Sequence, residues 1–384
     1  MQQLHMKRSY RIIPCYTGDV SGVCSALFEL GGMVVIHDPS GCNSTYNTHD
    51  ETRWYDHDSL IFISGLAEID AIMGNDEKLI DDVVDAALQL HPNFIALANS
   101  PIPYLNGTDF DAISRVIEDR TSIPTFYLPT NGMHDYVTGA SEALGEIASR
   151  FVHEPSRILP DTVNLLGVTP LDFSHPDAPN SMKKTMENAG FSVLSSWAMG
   201  SSLTDLGKAS EASVNLVVSA VGLRAAKILQ ERFGTPYVIG CPVSGLRNSV
   251  FEALHNRRSC NLLCEAEATP DARIMIIGEP ITMGSLAKAI QHELGVLPLV
   301  LCPLEQCNEV LTPSIIRTVG EEGVEAALFS TKVVIADPLY RPICPRNAVF
   351  VSLPHEAFSG RIFQKTMPNL ITLEIESLLK GVKL

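Results

Sequence analysis

Short apolar runs, many of them β-branched, alternate along the chain with longer stretches in which apolar residues recur at helical spacing. The runs IIPCY (12–16), MVVIHD (33–38) and FIALANS (94–100) have the strand pattern, whereas EKLIDDVVDAALQL (77–90) has the helical one. Alternating strands and helices are typical of βαβ units, whose parallel strands are covered by helices. The pattern therefore predicts an α/β fold with parallel sheets.

The alternation restarts twice, after the Pro-containing stretch near 155–160 and after ATPDAR. The second series opens with TVNLLGVTPLDF (162–173) and the third with RIMIIGEP (273–280). A chain of 384 residues is long enough for several such units. We predict three Rossmann-like domains, which are listed here with their expected bounds: 1–157, 158–268 and 269–384. Ligands should then bind beyond the carboxyl ends of the strands, in clefts between domains.

The charge balance excludes several partners. The formal net charge is −16 and no segment clusters Lys and Arg, which argues against nucleic-acid binding. No apolar run approaches the roughly 18 residues that span a bilayer. The N-terminal MQQLHMKRSYR lacks the apolar core of a signal peptide. We therefore expect a cytoplasmic protein that binds a small molecule.

Nine cysteines, an odd number, fit a reducing compartment in which most thiols are buried and inert. Cys15 and Cys42 differ from the rest because each follows an apolar run and lies beside a glycine-containing turn. Thiolates bind iron well, and backbone N–H groups at strand ends can offset the charge of a cluster. The pair therefore points to an iron–sulfur cluster more than to a disulfide.

Several further segments follow in a characteristic order and spacing. They are VIHDPSGCNSTY (35–46), AEIDAIMGNDEKLIDDV (67–83), ANSPIPYLNGTDFDAI (98–113), VVIADPLY (333–340) and LPHEAFSGRIF (353–363). With Cys15 ahead of them, they resemble the nitrogenase component 1 family. That family includes the nitrogenase molybdenum–iron protein subunits, dark-operative protochlorophyllide reductase and the nickel-sirohydrochlorin reductive cyclase.

The resemblance implies three Rossmann-like domains, a homodimer or a dimer with a paralogous component 1 subunit, and an Fe-protein-like ATPase reductase that delivers electrons. Cys15 matches the first cluster ligand of the family and Cys42 the second, while the third ligand position falls on Ser100. A hard serine oxygen in that place predicts a simpler cluster than the nitrogenase P-cluster. We expect one [4Fe–4S] cluster held by Cys15 and Cys42 of two subunits.

Cys24 and Asp38, which lie near these ligands in the sequence, have two interpretations each. Cys24 is either an alternative ligand or a buried helix thiol. Asp38, where the family usually has glycine, could tune the cluster potential or ligate through oxygen. His37 is expected to be structural. Ser219 stands near the position of the cysteine that ligates the iron–molybdenum cofactor, so we expect neither that cofactor nor dinitrogen reduction.

The remaining cysteines carry little signal. Cys241 follows a strand and could face the cleft or be structural. Cys260 and Cys264 are four residues apart, and Cys302 and Cys307 five, so neither pair is C-x-x-C. Helix packing and metal binding both fit the first pair, and Cys344 has no evident partner.

The last domain offers an anion-binding hypothesis. GEPITMGSLAKAI predicts a glycine turn before a helix that begins at Ser285, and LPHEAFSGRIF places His355, Glu356, Ser359 and Arg361 on a loop. These groups could grip a carboxylate-bearing substrate, with His355 or Glu356 donating protons. Interdomain or dimer packing is the alternative.

The residues and the resemblance together predict an electron-transfer oxidoreductase. It would take single electrons from the ATP-dependent reductase through the Cys15/Cys42 cluster to a substrate in the interdomain cleft. A scaffold for metal-cofactor assembly and a non-redox binding protein are the alternatives.

Overall fold

The computed structural model describes residues 9–39, 46, 51–263, 271–305 and 307–382. They form three sheets, each made of parallel strands with helices between them. The predicted α/β class with three parallel sheets is confirmed. No helix of the described residues is long and apolar enough to cross a bilayer.

The first sheet has the strand order β2-β1-β3-β4. The elements of this part are α1 (Asp19–Leu27), β1 (Met33–His37), β2 (Leu60–Ile63), α2 (Glu68–Met73), α3 (Asp76–Leu90), β3 (Ile95–Asn99), α4 (Pro101–Asn106), α5 (Phe110–Thr121), β4 (Thr125–Leu128) and α6 (Tyr136–Arg150). Every residue of the neighbouring strands β1 and β3 is buried, which explains their continuous apolar runs.

The second sheet has the order β6-β5-β7-β8-β9. Its elements are β5 (Leu159–Leu166), α7 (Ala178–Asn188), β6 (Ser192–Ser196), α8 (Leu203–Leu206), β7 (Ala212–Val217), α9 (Leu223–Phe233), β8 (Tyr237–Ile239), α10 (Arg247–Asn256) and β9 (Cys260–Asn261).

The third sheet has the order β12-β11-β10-β13-β14. Its elements are β10 (Asp271–Ile277), α11 (Pro280–Leu294), β11 (Pro298–Cys302), β12 (Ile315–Arg317), α12 (Gly320–Ala327), β13 (Val333–Ala336), β14 (Val349–Ser352), α13 (Glu356–Ser359) and α14 (Ile375–Leu378). Each sheet falls within one of the three predicted domains, whose exact bounds remain a prediction.

Helix α1 is buried on all sides and packs closely on α6. A Cβ on Gly22 would lie 2.2 Å from the carbonyl oxygen of Tyr136, and one on Gly139 would lie 1.9 Å from that of Asp19. Only glycine allows the two backbones to approach this closely. This contact fixes the start of α1, and with it the loop that carries Cys15.

The strand predicted at residues 12–16 is absent, so that prediction was wrong. The amides of Arg11 and Ile12 donate to the carboxylate of Glu321 rather than to a neighbouring strand. Pro14, which has no N–H, interrupts any ladder there. The segment instead runs along the third domain as an irregular loop.

Candidate functional site

The loop that carries Cys15 is held between the first and third domains. The amides of Tyr16 and Thr17 both donate to the carbonyl oxygen of Ala357, at 3.2 and 3.0 Å. The Cys15 thiol lies 3.5 Å from that oxygen. Asp19, at the start of α1, holds the loop after β4 in place. Its carboxylate accepts hydrogen bonds from the amides of Asn131 and Gly132. The Cys15 thiol is thus half-buried at a fixed position.

A cavity of about 350 Å³ opens beside Cys15. His134 and Glu305 lie on its wall, and His134 Nδ1 is 2.8 Å from Glu305 Oε2. The buried Asp135 accepts the amide of Glu305 at 2.6 Å. Burial raises the pKa of Asp135. Arg317 contributes a cation to the same wall. The thiol therefore faces space for a group larger than a side chain.

Pro101, two residues after the end of β3, lies beside the wall of this cavity. Gly132 lines it, and a Cβ at Gly132 would be 2.9 Å from Cδ of Pro101. The hydroxyl of Ser100 and Oδ2 of Asp38 are buried and have no hydrogen-bond partner among the described residues. A half-buried thiol beside a cavity is the type of ligand that iron–sulfur clusters use, and the buried oxygens of Ser100 and Asp38 are free of protein hydrogen bonds in the described residues.

Cys42 lies outside the described residues, three positions after Pro39. Within the part of the chain that the structure describes, no group of three or more His, Cys, Asp or Glu side chains is arranged to hold a metal ion. Cys24 is fully buried in the apolar core around α1. That environment favours its packing interpretation, and its role as a ligand remains a prediction.

His37 is the last residue of β1, and its contacts are with neighbouring protein side chains. Its Nδ1 lies 2.7 Å from the hydroxyl oxygen of Ser64, and its ring packs edge-on against Phe110. Burial lowers the pKa of His37 to about 4, so the imidazole is neutral at pH 7.

A buried arginine that the sequence did not single out links the first domain to the second. Arg53 donates to Glu51 at 2.7 Å, to Glu29 at 2.7 Å and to the carbonyl oxygen of Ala198 in the second domain at 2.9 Å. Burial alone would lower the pKa of Arg53, but Glu51 and Glu29 raise it above its ordinary value. Two carboxylates thus keep this cation charged between two domains.

A second group of polar residues lies where the three sheets meet. We call it the junction cluster: Tyr136, Asp172, Glu279 and His355. The Tyr136 hydroxyl donates to Asp172 Oδ1 at 2.5 Å, and His355 Nε2 is 3.6 Å from the same oxygen. Neither ring nitrogen of His355 hydrogen-bonds to a described residue, and the same holds for Asp172 Oδ2. This polar group is therefore only partly satisfied.

Burial sets the protonation of the junction cluster. It raises the pKa of Asp172 well above its ordinary value, and the neighbouring Glu279 carboxylate raises it further. Burial lowers the pKa of His355 to about 3. At neutral pH the imidazole of His355 is therefore neutral, and the carboxyl of Asp172 resists ionisation.

The junction contains more of the residues singled out in the sequence. Ser219 donates from its hydroxyl to the carbonyl oxygen of Gly167 at 2.8 Å. Cys241 is buried, its amide donates to the hydroxyl of Ser285, and burial with Glu279 and Asp172 raises the pKa of its thiol. Cys241 therefore lies near the junction cluster.

The predicted helix start at Ser285 was wrong, because α11 begins at Pro280. The carboxylate of Glu279 caps that end by accepting the amides of Ile281 and Thr282 at 3.1 and 2.6 Å. Ser285 lies in the second turn, and its hydroxyl donates to the carbonyl oxygen of Ile281. The helix end is thus already occupied by a carboxylate.

The segment predicted as a loop at the end of the third domain is mostly buried. Glu356 to Ser359 form α13, and Asp337 Oδ2 accepts from the amide of His355 and the hydroxyl of Ser359. Arg361 lies apart, with its guanidinium carbon 5.5 Å from the ring centroid of Tyr55. The structure therefore brings His355 and Glu356 into the interior and does not bring Arg361 with them.

Helices α2 and α4 present an apolar surface to solvent. No residue of α2 is buried. We define the α2–α4 surface by its exposed apolar residues: Ile69, Ile72, Met73, Ile102, Tyr104 and Leu105. A cavity of about 820 Å³ beside it is lined by His37 and Pro39. The surface thus adjoins the start of the segment that contains Cys42.

Comparison with known proteins identifies the family of this chain. Residues 21–251 match the family of nitrogenase component 1 type oxidoreductases. The chain belongs to this family. A solved structure of a member, nitrogenase Cp1 at pH 6.5, superposes with a TM-score of 0.67 over 91% of this chain and 88% of that one. At 16% identity, this likeness establishes the fold alone.

Curated relatives in the nitrogenase component 1 family are distant. The chain is 25% identical to one of the subunits of light-independent protochlorophyllide reductase of Nostoc punctiforme, over 43% of this chain and 34% of that protein. It is 22% identical to the nitrogenase iron-molybdenum cofactor biosynthesis protein NifE of Klebsiella pneumoniae, over 54% and 48%. The chain thus spans less than half the length of either relative in these matches.

Proposed function

We propose that this chain is the catalytic component of a nitrogenase-like redox system. It receives single electrons at an iron–sulfur cluster and passes them to a small molecule bound between its domains. The observation that carries the proposal is the contact of Cys15 with Ala357, which lies two residues after His355. One short segment thus connects the candidate cluster ligand with the junction cluster.

Cys15 and Cys42 are the proposed cluster ligands, with Ser100 and Asp38 as nearby oxygen donors. Burial without a hydrogen-bond partner in the described residues leaves those two oxygens available to a bound group. A [4Fe–4S] cluster would supply one-electron transfer at this place. A cluster shared by two subunits, either identical or paralogous, accounts for the small number of ligands in one chain.

The junction cluster is the proposed site of proton delivery. His355 and Asp172 lie 3.6 Å apart, and Tyr136 fixes Asp172 through its hydroxyl. Asp172 could hold a proton at neutral pH because burial raises its pKa. An iron–molybdenum cofactor is not expected, because Ser219 offers a hydroxyl that is already bound to a backbone carbonyl.

The α2–α4 surface is the proposed docking face for the electron-transfer partners. Its apolar residues are exposed, and three of them, Ile72, Met73 and Ile102, line the same cavity as Pro39. Apolar patches of this kind mark interaction sites. An Fe-protein-like ATPase reductase and a second component 1 subunit are the partners that the family implies.

The ligand assignment is tested by loading single variants with iron and sulfide under anaerobic conditions. Cys15→Ser and Cys42→Ser should each lose the EPR signal of a reduced cluster, whereas Cys344→Ser should retain it. The control is matched because Cys344 is also a half-buried thiol that donates to a backbone carbonyl. Normal iron content in both ligand variants would refute the assignment.

A scaffold for cofactor assembly is the second candidate, and the similarity to NifE proteins favours it. A scaffold would transfer its metal group intact to an acceptor protein. The catalytic component would instead be reoxidised repeatedly by a small-molecule acceptor. Counting turnovers per cluster during ATP-dependent reduction distinguishes the two, because a scaffold gives no more than one transfer event per cluster.

A further inference from the structure

The segment before α1 runs along the third domain, and we call its residues 11–17 the strap. Its N-terminal end is fixed by Glu321, the second residue of α12. Oε2 of Glu321 accepts the amides of Arg11 and Ile12 at 2.5 and 3.1 Å, and Oε1 accepts from Nε of Arg11 at 3.0 Å. The Glu321 side chain is fully buried. Three donors of the strap thus converge on one buried carboxylate.

The centre of the strap is fixed by the hydroxyl of Tyr340, which donates to the carbonyl oxygen of Pro14. Tyr340 is buried in the 3₁₀ turn that follows β13. The ring of Pro14 fixes its own φ and keeps the preceding Ile13 out of the helical region. The two residues between the Glu321 contacts and Cys15 therefore have little conformational freedom.

The C-terminal end of the strap is held by two domains. The amides of Tyr16 and Thr17 donate to the carbonyl oxygen of Ala357 in the third domain, at 3.2 and 3.0 Å. The carbonyl oxygen of Thr17 accepts the amide of Tyr136 in the first domain at 3.1 Å. Cys15 therefore lies between anchored residues on both sides, and the anchors that precede it belong to the third domain.

From these contacts we propose that Glu321 and Tyr340 are positioning residues, which hold the strap so that the Cys15 thiol faces its cavity. Both act through the backbone of the strap, because they bind its amides and the carbonyl oxygen of Pro14. A buried ion pair adds little net stability to a protein, but several hydrogen bonds to one carboxylate define a single geometry. The role of the thiol as a cluster ligand rests on the proposed function, whereas its position does not.

The test measures how fast iodoacetamide alkylates Cys15 in the reduced full chain, which a chelator has freed of iron. Chymotrypsin cleaves after Tyr10 and Tyr16, so Cys15 is the only cysteine of the peptide 11–16. Mass spectrometry of this peptide then gives the alkylated fraction of that thiol alone. Since only the thiolate reacts, all variants are compared at one pH.

Glu321→Gln keeps the shape of the side chain but replaces one acceptor oxygen by a donor, and Tyr340→Phe removes one hydroxyl. Loss of these hydrogen bonds should release the strap locally and speed the alkylation of Cys15, by about three- to tenfold in Glu321→Gln and about twofold in Tyr340→Phe. The matched control is Glu325→Gln, because Glu325 lies on the same helix and contacts the same Arg11 at an exposed position. This control should leave the alkylation rate unchanged.

The fully buried thiol of Cys241 reports global unfolding in the same digest, and its alkylation rate should not change. Equal Cys15 rates in the wild type, Glu321→Gln and Tyr340→Phe would overturn the proposal. A parallel increase at Cys241 would also overturn it, because the variants would then act by loosening the whole fold. Tyr340→Phe decides the matter if Glu321→Gln fails to fold.

The same variants separate this proposal from the proposed function. If a cluster assembles, Glu321→Gln should keep its iron and shift the EPR signal of the reduced cluster, because the position of one ligand changes. Wild-type protein that binds no iron, together with faster alkylation of Cys15 in Glu321→Gln, would contradict the cluster and support the positioning role.

Discussion

The Cys15 cavity and the junction cluster lie at two ends of one short segment but differ in their physical state. The cavity is open, its thiol is half-buried, and the ion pair on its wall is partly exposed. The junction cluster is closed, and its polar side chains are almost completely buried. The large pKa shifts therefore belong to the junction cluster, because desolvation grows with burial.

This difference suits the two regions to different chemical roles. A soft metal group needs space, thiolates and backbone dipoles, which the open cavity offers. Proton delivery needs groups whose pKa is shifted by a dry environment, which the junction offers. The predictions below begin with the largest expected effect, and those on His355, Tyr136 and His134 test whether the two regions respond differently.

Arg53→Met should lower the free energy of unfolding by about 3–5 kcal/mol, because it leaves Glu51 buried without its cation. Urea unfolding measures this loss. The matched control is Arg120→Met, which breaks an exposed pair with Asp81 and should cost about 1 kcal/mol or less. Equal losses in the two variants would show that Arg53 and Glu51 do not form a stabilising buried ion pair.

His355 should make the stability of the junction depend on pH. Its folded pKa of about 3 lies below the unfolded value, so the unfolded chain binds more protons between about pH 3 and 6.5. Its contribution to the free energy of unfolding therefore rises with pH in that window, by about 1.4 kcal/mol per pH unit, and is constant above it.

The difference in unfolding free energy between wild type and His355→Asn isolates this term, since Asp172 and Glu279 are present in both. The difference should grow in favour of the wild type from pH 4 to 6.5. His91→Asn, which changes an exposed histidine outside the junction cluster, is measured in parallel as the control for loss of an imidazole. A flat line for His355→Asn would mean that this imidazole is hydrated or charged in the folded protein.

Tyr136→Phe removes the hydroxyl that donates to Asp172 and should cost about 1–3 kcal/mol. The corresponding change at the open cavity, His134→Ala, breaks a half-exposed contact with Glu305 and should cost about 1 kcal/mol or less. Thermal unfolding of both variants compares the two regions directly. A larger loss of stability in His134→Ala than in Tyr136→Phe would contradict the proposal that the junction cluster is the more strongly buried region.

Met73→Asp on the α2–α4 surface should change stability by about 0.5 kcal/mol or less, because Met73 is exposed. It should nevertheless weaken association with the second subunit or the reductase, measured by sedimentation. Gln89→Glu, which adds one negative charge at the exposed end of α3, is the control for a change of charge alone. Unaltered association in Met73→Asp would place docking on another face.

The sequence predicted those features that depend on local pattern. The apolar run of β3 and the helical spacing of Leu79, Val83 and Ala87 on α3 were enough to identify their elements. The α/β class and the membership of the family followed from the order of such segments.

The rest depends on contacts between distant residues. Tyr136 and Asp172 come from different parts of the chain, and neither follows a recognisable motif. Arg53 and Glu51 are close in sequence, as an exposed ion pair would be. In the fold both are buried, and Arg53 also donates to Glu29 and to the carbonyl oxygen of Ala198, which are distant in sequence. The predicted start of α11 at Ser285 was wrong because Gly284 lies inside the helix. The carboxylate of Glu279 caps the helix, and Pro280 is its first residue.

The central claim is that this chain holds an iron–sulfur cluster beside Cys15. Iron and acid-labile sulfide per chain on anaerobically purified protein, with EPR after reduction, test it most directly. We predict about two irons and two sulfides per chain, as one four-iron cluster shared by two subunits requires. Folded protein that stays free of iron, even with its partner subunit present, would contradict the account.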